Sequence, residues 1–162
     1  MTLLELMAKM RVAHAEPRPL LIGCGGAKLP GVHRVDAIYT LGAWRIYRKA
    51  LAERAADGRS PLPYDVYVIS AKYGIVPADR KIAWYDAVLM ERPKKPNEVA
   101  PATLLPLLQR QALEYGLTEV DVSAGKLYAE TLEAAGLTVH RLDPKQRGSG
   151  DQNKALRQHL LR

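Results

Sequence analysis

Four short apolar runs set the frame of this chain: Leu20-Leu21-Ile22-Gly23-Cys24, Asp65-Val66-Tyr67-Val68-Ile69-Ser70, Glu119-Val120-Asp121-Val122-Ser123 and Thr138-Val139-His140-Arg141-Leu142. Their β-branched and aromatic content predicts strands. Between and after them the spacing turns helical. Leu41, Trp44, Tyr47, Leu51 and Ala55 recur at helical intervals, with Thr40 as a plausible cap and Gly58 just past the end. Leu104, Leu107, Leu108 and Leu113 predict a second helix stopped by Gly116, and Leu127, Leu132 and Ala135 a third running to Gly136. Leu156, Leu160 and Leu161 mark the last. At the start, Thr2 and Glu5 form a capping box that opens an amphipathic helix through about residue 13, which Pro17 and Pro19 end. Strands alternating with helices require right-handed crossovers, which predicts an α/β fold with a four-stranded, mainly parallel sheet and helices on both faces.

A chain of 162 residues suits one domain, here 1–162 with residues 1–18 as helix and lead-in, and it can bury a core without staples. Hydrophobic content of 48% with 25% charged residues excludes wholesale disorder. No apolar run approaches the roughly 18 to 20 residues of a bilayer span. No secretory leader is visible, so a cytoplasmic location is expected. The single cysteine, Cys24, excludes an internal disulfide and a multi-cysteine metal site. His14, His33, His140 and His159 lack metal-ligand spacing, so neither a metal nor a cofactor is expected.

The formal charge of +7 points to an acidic partner. Lys and Arg outnumber Asp and Glu 10 to 5 over residues 1–60 and 6 to 2 over residues 141–162, whereas residues 61–140 carry 8 against 10. Nucleic acid or a phosphorylated ligand suits such ends, and a basic, well-solvated surface explains them equally.

In a parallel sheet three loops converge at the carboxyl edge, where open α/β sheets bind ligands. They are Cys24-Gly25-Gly26-Ala27-Lys28, Ser70-Ala71-Lys72-Tyr73-Gly74 and Ser123-Ala124-Gly125-Lys126-Leu127-Tyr128. Each joins small residues, which let backbone approach a ligand, to a lysine that neutralises an anion. Two add a tyrosine able to stack on a base. Taken singly, each lysine also fits a solvated surface, each tyrosine a half-buried packing role, and Cys24 a packed strand end.

The same residues carry a resemblance. Cys24-x-x-x-Lys28, Tyr39-Thr40-x-x-x-Trp44, Ser70-Ala71-Lys72-Tyr73-Gly74-Ile75-Val76, Tyr85, Gly125-Lys126-x-Tyr128 and Gly148-x-Gly150 resemble the pattern of an uncharacterised bacterial and phage domain family over nearly residues 20–162. That family is similar in turn to the uracil-DNA-glycosylase-like domain that accompanies archaeosine tRNA-modifying enzymes, whose Tyr-Gly-x-Val-Pro segment is echoed by Tyr73-Gly74-Ile75-Val76-Pro77. The resemblance implies a three-layer sandwich with a nucleobase or nucleotide pocket at the strand carboxyl ends. Trp44 stands where the family usually has Phe, and Ile75 where it has Leu. The Gly-Gln-Asp-Pro-Tyr and histidine loops of the glycosylases have no counterpart here, so the resemblance carries the fold and not the glycosylase reaction.

Three readings follow. The first is an enzyme acting on a nucleobase, nucleoside or nucleotide, with Gly23, Cys24, Lys28, Ser70, Lys72, Tyr73, Gly74, Tyr85, Gly125, Lys126 and Tyr128 holding the ligand. Cleavage of an N-glycosidic bond would need a carboxylate to orient water, for which Asp79 lies closer to the signature loop than Asp86. The second is a nucleic-acid-binding module that delivers DNA or tRNA to a modifying partner. The third is a thiol-dependent enzyme that uses Cys24 as nucleophile beside Lys28.

Overall fold

The computed structural model describes residues 1–7, 17–145 and 148–162. Its central sheet has five strands: β1 (Leu20–Gly23), β3 (Val66–Ser70), β4 (Gly74–Pro77), β8 (Glu119–Ser123) and β9 (Thr138–Arg141), in the order β4-β3-β1-β8-β9. Strands β3, β1, β8 and β9 pair in parallel, and β4 joins β3 antiparallel with Ser70 opposite Gly74. The sheet is therefore mixed and five-stranded, which corrects the expected count of four. The extra strand is Gly74–Pro77, expected to be part of the loop. Ala71-Lys72-Tyr73 closes a tight turn instead, and Ile75 and Val76 pair back onto Ile69 and Val68. Ending this short edge strand on Pro77 blunts it against further pairing.

Alternation along the strands sends side chains to two separate cores. Leu20, Ile22, Val66, Val68 and Val76 pack against Trp44, Tyr47 and Ala50 of α2 (Ala43–Ala56) and Leu156 and Leu160 of α5 (Ser149–Leu160). Leu21, Ile69, Ile75, Val120 and Val122 pack against Leu104, Leu108 and Ala112 of α3 (Pro101–Glu114) and Leu132 of α4 (Lys126–Ala134). Helices therefore flank the sheet on both faces.

Two local details differ from expectation. Helix α2 begins at Ala43 behind Gly42, whose φ of 69° belongs to the left-handed region, and no side chain caps it. Thr40 stands two residues ahead of the cap position, and its amide bonds the carbonyl of Ala27. At the amino terminus the capping box forms as expected, with the Thr2 amide donating to Glu5 Oε2 at 2.9 Å and the Glu5 amide to Thr2 Oγ1 at 3.2 Å. The expected continuation of that helix to about residue 13 lies outside the described residues.

The segments between the main elements fold across the sheet ends. The long loop after β1 contains β2 (Val32–Arg34) and the four-residue helix α1 (Val35–Ile38). After β4 the chain turns at residues 78–80 and returns as β5 (Lys81–Ala83), antiparallel to β2. It then crosses the carboxyl edge through β6 (Val88–Leu89) and β7 (Glu98–Val99), which pair in parallel. Residues 81–99 form a strap. Its Ile82 and Tyr85 belong to the first core, its Leu89 to the second, and Ala87 touches both.

Candidate functional site at the carboxyl edge of the sheet

Strands β1, β3 and β8 end together at Gly23, Ser70 and Ser123, and this brings Cys24, Tyr73 and Tyr128 to one edge. Cys24 is half-buried, and its sulfur lies 3.2 Å from the Tyr128 hydroxyl. Ser70 is fully buried. Its Oγ accepts the amides of Lys72 at 3.2 Å and Tyr73 at 3.1 Å, the geometry of a serine-stabilised turn. That turn fixes the signature loop.

Above Ser70 the strap lowers Tyr85 onto the edge, leaving it 2% exposed, and its hydroxyl meets that of Tyr39 at 2.6 Å. The Tyr73 ring stands edge-on to Tyr85 with centroids 5.2 Å apart, and its hydroxyl donates to the Ala83 carbonyl at 3.3 Å. Trp44 stacks on Tyr39 and donates from Nε1 to the Gly23 carbonyl at 3.1 Å. Arg48 Nη1 adds bonds to the carbonyls of Tyr39 at 2.8 Å and Asp36 at 3.0 Å, which pins the loop that delivers Tyr39.

Burial holds the phenols of Tyr39, Tyr85 and Tyr128 above their ordinary range, and the neighbouring Cys24 adds to the effect. All three are therefore protonated at neutral pH and serve as hydrogen-bond donors or acceptors, not as bases. Lysines rim the cluster. Lys28 Nζ lies 4.4 Å from the centroid of the Tyr85 ring, and Lys72 Nζ 5.3 Å from that of Tyr73, both within cation–π range.

Gly74 and Gln111 hold the signature loop from the second face. Gly74 has φ of 69°, and a Cβ there would come within 2.2 Å of Gln111 Oε1, a contact only glycine avoids. Gln111 on α3 accepts the Ile75 amide at 2.7 Å and donates to the Tyr73 carbonyl at 2.8 Å. The close packing of β1 on β8 likewise depends on Gly23, where a Cβ would lie 3.2 Å from that of Ala124.

Of the residues singled out in the sequence, the structure brings Gly23, Cys24, Lys28, Ser70, Lys72, Tyr73, Gly74, Tyr85 and Tyr128 together. Gly125 and Lys126 stand at the same edge, as cap and first residue of α4, with Lys126 paired to Glu130 at 3.5 Å. Asp79 is not among them. Strand β4 runs opposite to β3, so Pro77 sits beside Tyr67 and Asp79 lies at the amino end of the sheet. Asp86, on the strap, is exposed and accepts a bond from Asn97 Nδ2 at 3.3 Å. Two members were not singled out as ligand residues: Tyr39 and Gln111. The Tyr39-Thr40 motif pointed to the first, whereas a glutamine on an amphipathic helix gives no such signal.

Among the described residues, no group of three or more His, Cys, Asp or Glu side chains could hold a metal ion, and no helix is long and apolar enough to cross a membrane. The edge thus offers hydroxyls, one thiol, two ammonium groups and backbone at small residues. Such a set can bind an aromatic ring and an anion. No curated protein and no solved structure matches the chain. Residues 20–158, carrying all five strands of the sheet and every residue of this edge, match a family of unknown function (DUF6884), and the chain belongs to that family.

Proposed function

We propose that the chain binds a nucleobase-containing, phosphorylated ligand, a nucleotide or a nucleic acid, at the carboxyl edge of a uracil-DNA-glycosylase-like sheet. The observation that carries this reading is the convergence of Lys28, Lys72, Tyr73, Tyr85 and the Cys24–Tyr128 pair on one edge. The ammonium groups suit phosphate, and the tyrosine rings suit a base. Tyr85 lies over Ser70 and Tyr39, so in this reading the ligand meets Lys28, Lys72 and the Tyr73 ring at the rim of the edge.

The role of the edge is binding first. Hydrolysis of an N-glycosidic bond would call for a carboxylate near the sugar, and Asp79 is at the far end of the sheet. Cys24 lies at the edge with the chemistry of a nucleophile, which keeps glycosyl or base transfer through a thiol as the catalytic form of this reading. The excess of basic residues favours a second reading, a module that holds DNA or tRNA for a modifying partner.

Calorimetric titration with mononucleotides and short oligonucleotides tests both. Lys72→Ala and Tyr73→Ala are each expected to weaken binding by about 1–3 kcal/mol, the range of charge-assisted hydrogen bonds and base stacking, while the fold is kept. Steep loss of affinity with salt identifies the nucleic-acid module, and weak salt dependence the nucleotide. Absence of binding by either class, or affinity untouched by both substitutions, would refute the assignment of this edge.

A further inference from the structure

The sheet end opposite Cys24 carries a recess of about 510 Å³, within the range of small-molecule sites. Its rim is acidic on an otherwise basic protein. Asp36, Asp65 and Asp79 line it against a single guanidinium, that of Arg34, which is already engaged with Asp36 through bonds of 3.1 and 2.8 Å. The rim is fixed by backbone: the amides of Val35 and Asp36 donate to the carbonyls of Arg80 and Ala78, which docks α1 on the turn holding Asp79. Asp79 and Asp65 are exposed and have no ion pair among the described residues.

Tyr47 supplies a second, independent observation. It is 7% exposed and lines the recess, yet its hydroxyl has no hydrogen-bond partner among the described residues. Burial, then Asp36, push this phenol up to about 12, so it is neutral and its oxygen can accept a bond from a ligand donor. The Tyr64 ring also lines the recess. A ligand donor at the recess supplies the partner that the Tyr47 oxygen lacks within the chain. The remaining wall is apolar, formed by Leu51, Pro61 and Leu62.

We infer that this recess is a binding site for an organic cation, a guanidinium or amine on an apolar stem, whose head bonds Asp79, Asp65 and the Tyr47 hydroxyl while its stem lies on Leu51 and Leu62. An anion is disfavoured by three carboxylates against one occupied guanidinium. A metal ion is disfavoured because no described cluster offers three ligating side chains. The cation is either a free small molecule or an arginine or lysine side chain of a partner protein.

Amide NMR spectra of the whole chain, titrated with three probes, decide the matter. n-Butylguanidinium is expected to give saturable shifts at Tyr47, Asp65 and Asp79, and its uncharged isostere butylurea none. Asp79→Asn is expected to weaken that binding about tenfold, the loss of one charge-assisted bond, and Tyr47→Phe about threefold with the fold unchanged. An end-blocked Gly-Arg-Gly peptide separates the sources. Binding by the peptide assigns the recess to a partner's side chain, and its rejection alongside butylguanidinium binding assigns it to a small cation. Absence of saturable shifts, equal binding of butylurea, or affinity unaltered by both substitutions would overturn the inference.

Discussion

At the scale of single residues, the signature loop owes its shape to a glycine and a glutamine that face each other across the second core. Substitution Gly74→Ala forces a β-carbon into left-handed backbone and onto Gln111 Oε1, which breaks the bonds that Gln111 makes to Ile75 and Tyr73. The backbone term is about 1–2 kcal/mol and each lost bond about 0.5–1.5, so a destabilisation of about 2–5 kcal/mol is expected in urea unfolding. An unfolding midpoint equal to that of the natural chain would show that the loop relaxes freely. The position of Lys72, Tyr73 and Gly74 at the end of a strand was legible because the β-branched and aromatic run before them marks that strand. Gln111 was not, because its role depends on a partner 36 residues away that only the fold brings near.

Among elements, the parallel strands were the most legible, since runs such as Val66-Tyr67-Val68-Ile69 are buried on both faces and leave no polar period to confuse them. Strand β4 was hidden by its own brevity: four residues that begin with a glycine and end with a proline read as a loop until β3 is present to pair with them. The contact of α2 with α5 was equally silent. There Arg54, 7% exposed, donates to the carbonyls of Ser60 at 2.7 Å, Leu160 at 3.2 Å and Arg162 at 3.1 Å, and so ties α2 to the end of α5. Its positive charge also suits the negative end of the α5 dipole. Replacing it by alanine strands those carbonyls and opens a cavity, at an expected cost of about 2–4 kcal/mol. Hydrogen exchange should rise selectively over residues 149–160, and unchanged protection there would show that Arg54 does not anchor the helix.

At the scale of the whole molecule, the buried phenols make the fold sensitive to alkali. A tyrosine whose folded pKa lies above its unfolded value of about 10 contributes stability that is present below pH 10 and lost as pH rises towards the folded value. Tyr39, Tyr85 and Tyr128 are all raised by burial, and Tyr47 is raised to about 12, which for Tyr47 alone is on the order of 2 kcal/mol. The urea midpoint is therefore expected to hold steady from pH 7 to 9 and fall between pH 10 and 12. A midpoint that stays level through pH 11.5 would contradict the burial of these rings. The strap from residue 81 to 99 has a larger consequence still. Because Ala87 touches both cores and Tyr85 and Leu89 each belong to one, the cover over the carboxyl edge is fastened on both faces of the sheet. Loosening one core alone leaves that cover held by the other, so the edge beneath it keeps its shape under substitutions confined to a single face.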